Sequence, residues 1–134
     1  MKKILFFAGL FLLFGTISSD AQHFIGLDKP ETRKLARKSG FYEDNMTVSK
    51  KFNYLKFVNS ADTKTLIVFF SDSDIAKHTR IVCDYSEYDL VLKDFDNNFR
   101  KISENLWEYE ENNEIFELTM EEKEWYFVII SNKK

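Results

Sequence analysis

Six runs of five to seven residues have strand character: 52–58, 65–70, 79–84, 106–110, 114–120 and 125–130. Four of the five links between them hold only three to eight residues, whereas a parallel crossover needs a dozen or more. The sheet they form is therefore expected to be mostly antiparallel. The one long link has helical periodicity, with apolar positions 88, 91, 92, 95, 99 and 102 forming one stripe. Ser86 stands as its expected cap, Asp89 as the capping partner, and Tyr85 with Leu90 as a hydrophobic staple. A second helix is expected before the first strand. Asp28 and Glu31 have capping-box spacing, Pro30 suits a first turn, and Gly40 is the expected stop.

These elements give an α+β fold. It is expected as two layers, a curved sheet of about six strands with both helices on one face. The order helix, three strands, helix, three strands further suggests an α-β-β-β duplication, although the halves share few residues. Four Gly and one Pro leave no room for linkers.

The N-terminus reads as an export signal. Lys2 and Lys3 precede the apolar run Ile4 to Phe14, and small residues stand at −3 and −1 of a cut after Ala21. The apolar run is too short to span hydrocarbon, and no cysteine follows it to carry a lipid. Residues 1–21 are thus expected to be a signal peptide and 22–134 one globular α+β domain, periplasmic or secreted, with no membrane span after cleavage.

Charge narrows the partners. The mature chain carries 17 basic and 21 acidic residues, which disfavours nucleic acid. The distribution is lopsided: Lys29 to Lys56 is net +5, whereas Glu104 to Glu124, with nine Glu and one Lys, is net −8. Each set serves either as a solvated face or as a surface for complementary docking within or between chains. In the first helix, Arg33, Lys34, Arg37 and Lys38 also lie toward the end where the helix dipole favours positive charge.

No motif for catalysis emerges, so no catalytic, cofactor-binding or metal-binding residue is assigned. Cys83 alternates with Ile81 and Tyr85 and is expected to be buried. An odd separation of five places it on the opposite strand face from His78. His23 and His78 lack zinc spacing. Ser71-Asp72-Ser73-Asp74 lacks the turn glycine of a calcium loop, and Cys83 stands where the bidentate Glu should be. The Glu residues of 108–124 mostly alternate with apolar ones and are expected to face water. There is no phosphate loop, nucleophile elbow or dinucleotide fingerprint, and Asn45-Met46-Thr47 matches a glycosylation sequon.

The run Gly26-Leu27-Asp28 with Glu31, Leu35 and Gly40 resembles the helix opening of small exported helix-plus-sheet domains of the BamE and β-lactamase-inhibitor kind. The resemblance covers about 15 residues and implies protein binding. The paired cysteines of the inhibitor proteins are absent.

Two strands break the polar–apolar alternation of a half-buried sheet. Leu66, Val68 and Phe70 oppose Ile67 and Phe69; Trp125, Phe127 and Ile129 oppose Tyr126, Val128 and Ile130. Either termini and loops wrap the second face or an apolar patch stays open as an interaction face. The residues expected on that face are Leu66, Val68, Phe70, Trp125, Phe127 and Ile129. The expected function is a noncatalytic exported module binding a protein or envelope component, self-association included. The alternatives are a small hydrolase using paired Glu residues and a carrier of a small apolar ligand. The export reading is checked by intact mass of the protein from cells. An N-terminus at Gln22, free or cyclised, is expected; a membrane-retained chain beginning at Met1 refutes it.

Overall fold

The computed structural model describes residues 24–45 and 51–134. The signal segment, Gln22, His23 and residues 46–50, with the sequon's Met46 and Thr47, lie outside the described residues. Helix α1 spans Lys29–Lys38 and has both arms of its capping box: Glu31 N–H donates to Asp28 Oδ1 at 2.9 Å, and Asp28 N–H to Glu31 Oε1 at 3.3 Å. Arg37 and Lys38 occupy its last turn, and Gly40 turns the chain back at φ +86°. Without a Cβ, glycine takes that left-handed conformation at little cost.

Eight strands make one antiparallel sheet: β1 (Phe41–Glu43), β2 (Tyr54–Asn59), β3 (Lys64–Phe70), β4 (Ala76–Asp84), β5 (Arg100–Ser103), β6 (Leu106–Glu111), β7 (Glu114–Glu122) and β8 (Tyr126–Lys133). Helix α2 (Tyr88–Asn98) follows β4 through a single turn of 3₁₀ helix, Tyr85–Glu87. The strand order is β1-β2-β3-β4-β8-β7-β6-β5. Each half is thus a helix followed by four consecutive strands, and the halves meet where their last strands, β4 and β8, pair antiparallel.

The α+β class and the antiparallel sheet are as the sequence implies, but the sheet has eight strands rather than about six. The additional two are its edges. Strand β1 has three residues and β5 four, too few to display an alternating pattern, and β5 occupies residues that continue the helical stripe. Helix α2 stops at Asn98 because Phe99 turns extended, at φ −126° and ψ 160°. Asp96, Asn97 and Asn98 are weak helix formers, and pairing Arg100 with Glu108 supplies the backbone partners that another helical turn would have given. Ile102, expected on the helix stripe, is 43% exposed on β5. The cap also differs. Asp84 rather than Ser86 accepts a backbone hydrogen bond, from Ser86 N–H at 2.9 Å, and so caps the 3₁₀ turn instead of the α-helix.

Both helices cover one face of the sheet. Phe24, Leu35 and Ala36 from the α1 side and Val91, Phe95 and Phe99 from the α2 side join the sheet's inward residues in one hydrophobic cluster. Phe95 meets Trp107 of β6 edge-on at 5.3 Å, and the next helical residue, Asp96, accepts from Trp107 Nε1 at 3.0 Å. Tyr88 meets Phe127 of β8 edge-on at 5.3 Å. On the α1 side, Gly26 N–H donates to Ala76 O and Ala76 N–H to Leu27 O, both at 2.8 Å, which ties the helix entry to β4.

Phe95 is fully buried and packs edge-on against both Phe99 and Trp107. Phe95→Ala is expected to destabilise the protein by about 3–5 kcal/mol. Leu90→Ala, on the same helix but 57% exposed, should change stability by less than about 0.5 kcal/mol. Urea denaturation followed by far-UV CD measures both, and equal losses would show that α2 packs by its other side.

Candidate functional site: the open face of the sheet

The strand registers fix which residues share the face turned away from the helices. One row runs Tyr54, Phe69, His78, Asn132, Glu117, Glu108 and Arg100 from β2 to β5. The next runs Lys56, Ile67, Arg80, Ile130, Thr119 and Leu106. A third runs Val58, Thr65, Val82, Val128 and Glu121. Val128 is buried yet stands outside the cluster beneath the helices, and Ile67, Phe69, Val82 and Ile130 around it are half-buried. Tyr54, Phe69 and His78 form an aromatic row, His78 stacking on Phe69 at 4.4 Å. Partial burial, helped by Lys77 and Arg80, holds the His78 pKa below its ordinary value. The ring is therefore neutral at physiological pH and extends the apolar surface.

The structure corrects the parity of the expected interaction face. Leu66, Val68, Phe70, Phe127 and Ile129 are each at most 3% exposed and pack in the core beneath the helices. The outward residues of the same strands are Ile67 and Phe69, and Val128 and Ile130. Trp125 is 78% exposed but precedes β8, in the β7–β8 turn, and so belongs to neither face. With both parities apolar, alternation alone could not say which one the helices cover.

Charge divides this face. Lys56, Arg80 and the exposed bulge residue Lys77 lie on the β1–β4 half; Glu108, Glu110, Glu117 and Glu121 lie on the other. Lys56 pairs with Asp44 at 3.6 Å and Glu121 with Lys123 at 3.3 Å. Glu108 corrects the expectation that these carboxylates face water. It is only 8% exposed, accepts from Lys134 Nζ at 2.7 Å and stands 3.6 Å from Arg100. Glu117 lies directly across from it, so the two cations offset a like-charge cross-strand pair.

A cleft of ≈ 540 Å³ opens at the other end of α2, floored by Tyr88, Leu92 and Met120 and edged by Glu104, Glu121 and Glu122. The Tyr88 hydroxyl hydrogen-bonds to Glu122, and this contact, with burial, pushes its pKa up to about 12. Tyr88 therefore stays a neutral phenol at physiological pH. Among the described residues no three His, Cys, Asp or Glu side chains gather as a metal site. Asp74, in the Ser71-to-Asp74 turn, is occupied by Asn53 Nδ2 at 2.7 Å and Lys29 at 3.5 Å.

Cys83 and His78 point to opposite faces of β4, as their odd separation requires. The thiol is fully buried. Burial, with Glu87 adding and Lys64 opposing, pushes its pKa up to about 12. No helix among the described residues is long and apolar enough to cross a membrane. Compared with known proteins, the chain matches no family model, no curated protein and no solved structure.

The Cys83 environment gives a two-part prediction. A thiol reagent at pH 8 should leave the native protein unlabelled and react fully after denaturation. Because the folded pKa is raised, the thiol's stabilising contribution is complete below its unfolded value of about 8.5 and is lost as pH climbs toward 12. Urea midpoints across that window should therefore fall less steeply in Cys83→Ala than in the parent. Fast native labelling, or identical slopes, would show an accessible thiol.

Proposed function

We propose that this protein is an exported, noncatalytic binding module whose partner is a protein or envelope component received on the open face of the sheet. The observation carrying this reading is the sheet face on which Val58, Ile67, Phe69, Val82, Val128 and Ile130 form an apolar band broken at Thr65 and Arg80. Single exposed apolar residues are ordinary on protein surfaces, but a band of them rimmed by charge is characteristic of interfaces. The sheet is well suited to present it. Backbone pairing on both sides of the central strands fixes the side chains in place, so little conformational entropy is lost when a partner docks.

The chemistry of the remaining polar groups supports binding over catalysis. At physiological pH Tyr88 is a neutral phenol and Cys83 a buried, protonated thiol, and His78 is stacked and separated by the sheet from Cys83.

A photo-crosslinking amino acid placed at Ile67 tests the reading in cells, with Lys34 on the exposed side of α1 as control. Crosslinks to a protein are expected from position 67, not from position 34, and should disappear when Ile130→Glu is added. Far-UV CD and melting temperature should stay within about 3 °C of the parent, because neither residue belongs to the core cluster. No crosslink at position 67, or equal yields at both positions, defeats the open-face reading.

A further inference from the structure

The division of charge across the open face names an occupant. We propose that the face receives a second copy of the same chain, packed face to face about a twofold axis that runs along the strand direction. This rests on the open-face reading and deepens it.

Two sheets packing face to face with aligned strands have two choices of in-plane twofold axis, and the charges distinguish them. An axis across the strands lays each strand on its own counterpart. Strand β7 then meets β7, and the Glu117–Glu121 side of one copy faces the same acidic residues of the other. An axis along the strands reverses the strand order instead. Strand β4 of one copy then lies over β8 of the other, β3 over β7 and β2 over β6. The half with Arg80 and Lys77 covers the half with Glu110 and Glu117 of the other copy, while Lys56, Glu108 and Glu121 each already have an opposite charge beside them in their own chain. Val82 faces Val128 at the centre, where both are apolar and their strands are neighbours. Lys56 on β2 and Arg80 on β4 bracket Thr119 on the β7 strand of the other copy, with Glu117 and Glu121 one row to either side of it and within reach of a long Arg side chain.

Size also favours a partner as broad as the face itself. The three outward rows hold 18 residues, each occupying about 4.8 Å between strands and about 6.8 Å along them. That is on the order of 600 Å² per copy and about 1,200 Å² for a pair, the lower bound for a specific interface. An extended peptide would cover only a fraction of it, whereas another copy of the sheet matches it edge to edge. The same geometry makes the contact self-complementary twice over, since every Arg80–Glu117 approach occurs in duplicate about the axis.

Sedimentation velocity of the mature chain at about 1–100 μM, with Arg80→Glu and Glu117→Lys, tests this. The parent is expected to dimerise, with affinity falling about tenfold as salt rises from about 0.05 to 0.5 M. Each single variant places two like-charge contacts in its own dimer and should weaken it at least about 100-fold, leaving monomers. An equimolar mixture of the two restores opposite charges at both contacts and should dimerise again. A melting temperature within about 3 °C of the parent confirms intact folds; if Arg80→Glu fails that check, Lys56→Glu takes its place in the mixture. A parent that stays monomeric at 100 μM overturns the second-copy proposal. The open-face reading then stands or falls separately on whether position 67 crosslinks to a protein of a different mass. A dimer that survives in both single variants, or a mixture that stays monomeric, equally overturns it.

Discussion

The antiparallel pairing of β4 with β8 is the contact on which the architecture depends. Seven residue pairs, from His78 with Asn132 to Asp84 with Tyr126, are the only backbone ladder between the two four-stranded halves among the described residues. Below it, Ile81 and Ile129 face each other in the core, as do Cys83 and Phe127. Above it, Val82 and Val128 meet on the open face. A single ladder thus joins the halves, anchors the layer beneath α2 and sets the centre of the exposed surface. Because β4 and β8 are each the last strand of their half, closing this ladder also requires the whole chain, so neither half presents a finished sheet alone.

Much of this was legible in the residues. The capping box of Asp28 and Glu31 marks the α1 start because a carboxylate that can satisfy first-turn amides has few other uses at that spacing. Asn112 and Asn113 mark the β6–β7 turn because both adopt positive φ, which asparagine tolerates. The burial of Cys83 follows from its alternation with Ile81. The edge strands were illegible for the opposite reason: Phe41–Glu43 and Arg100–Ser103 are strands because β2 and β6 offer them hydrogen bonds, which is a tertiary fact with no periodic trace.

The candidate face shows where local pattern ends and register begins. In β8, Phe127 and Ile129 read no differently from Val128 and Ile130. In β7, however, Phe116, Leu118 and Met120 alternate with Glu117, Thr119 and Glu121, so the inward parity there is plain. The β7–β8 ladder pairs Met120 with Ile129 and Glu121 with Val128, and carries that parity into β8. Strand β4 then hands it to β3 through Ile81 with Leu66. The missing signal was therefore not in the apolar strands but in their polar neighbours.

That relay has a consequence for how surface and core are separated. Strands β3 and β8 are apolar on both sides, so the usual sequence penalty against exposing the wrong face is absent there, and a one-residue slip would cost them little by burial alone. Register must instead be enforced from outside, by the two-residue Asn112–Asn113 turn, by Glu residues that resist burial on β7, and by the aromatic contacts of Phe95 and Tyr88 with Trp107 and Phe127. The charged outer strands consequently have two roles. They fix which face of the sheet the helices cover, and the charges they leave on the other face set the polarity with which anything can dock against it.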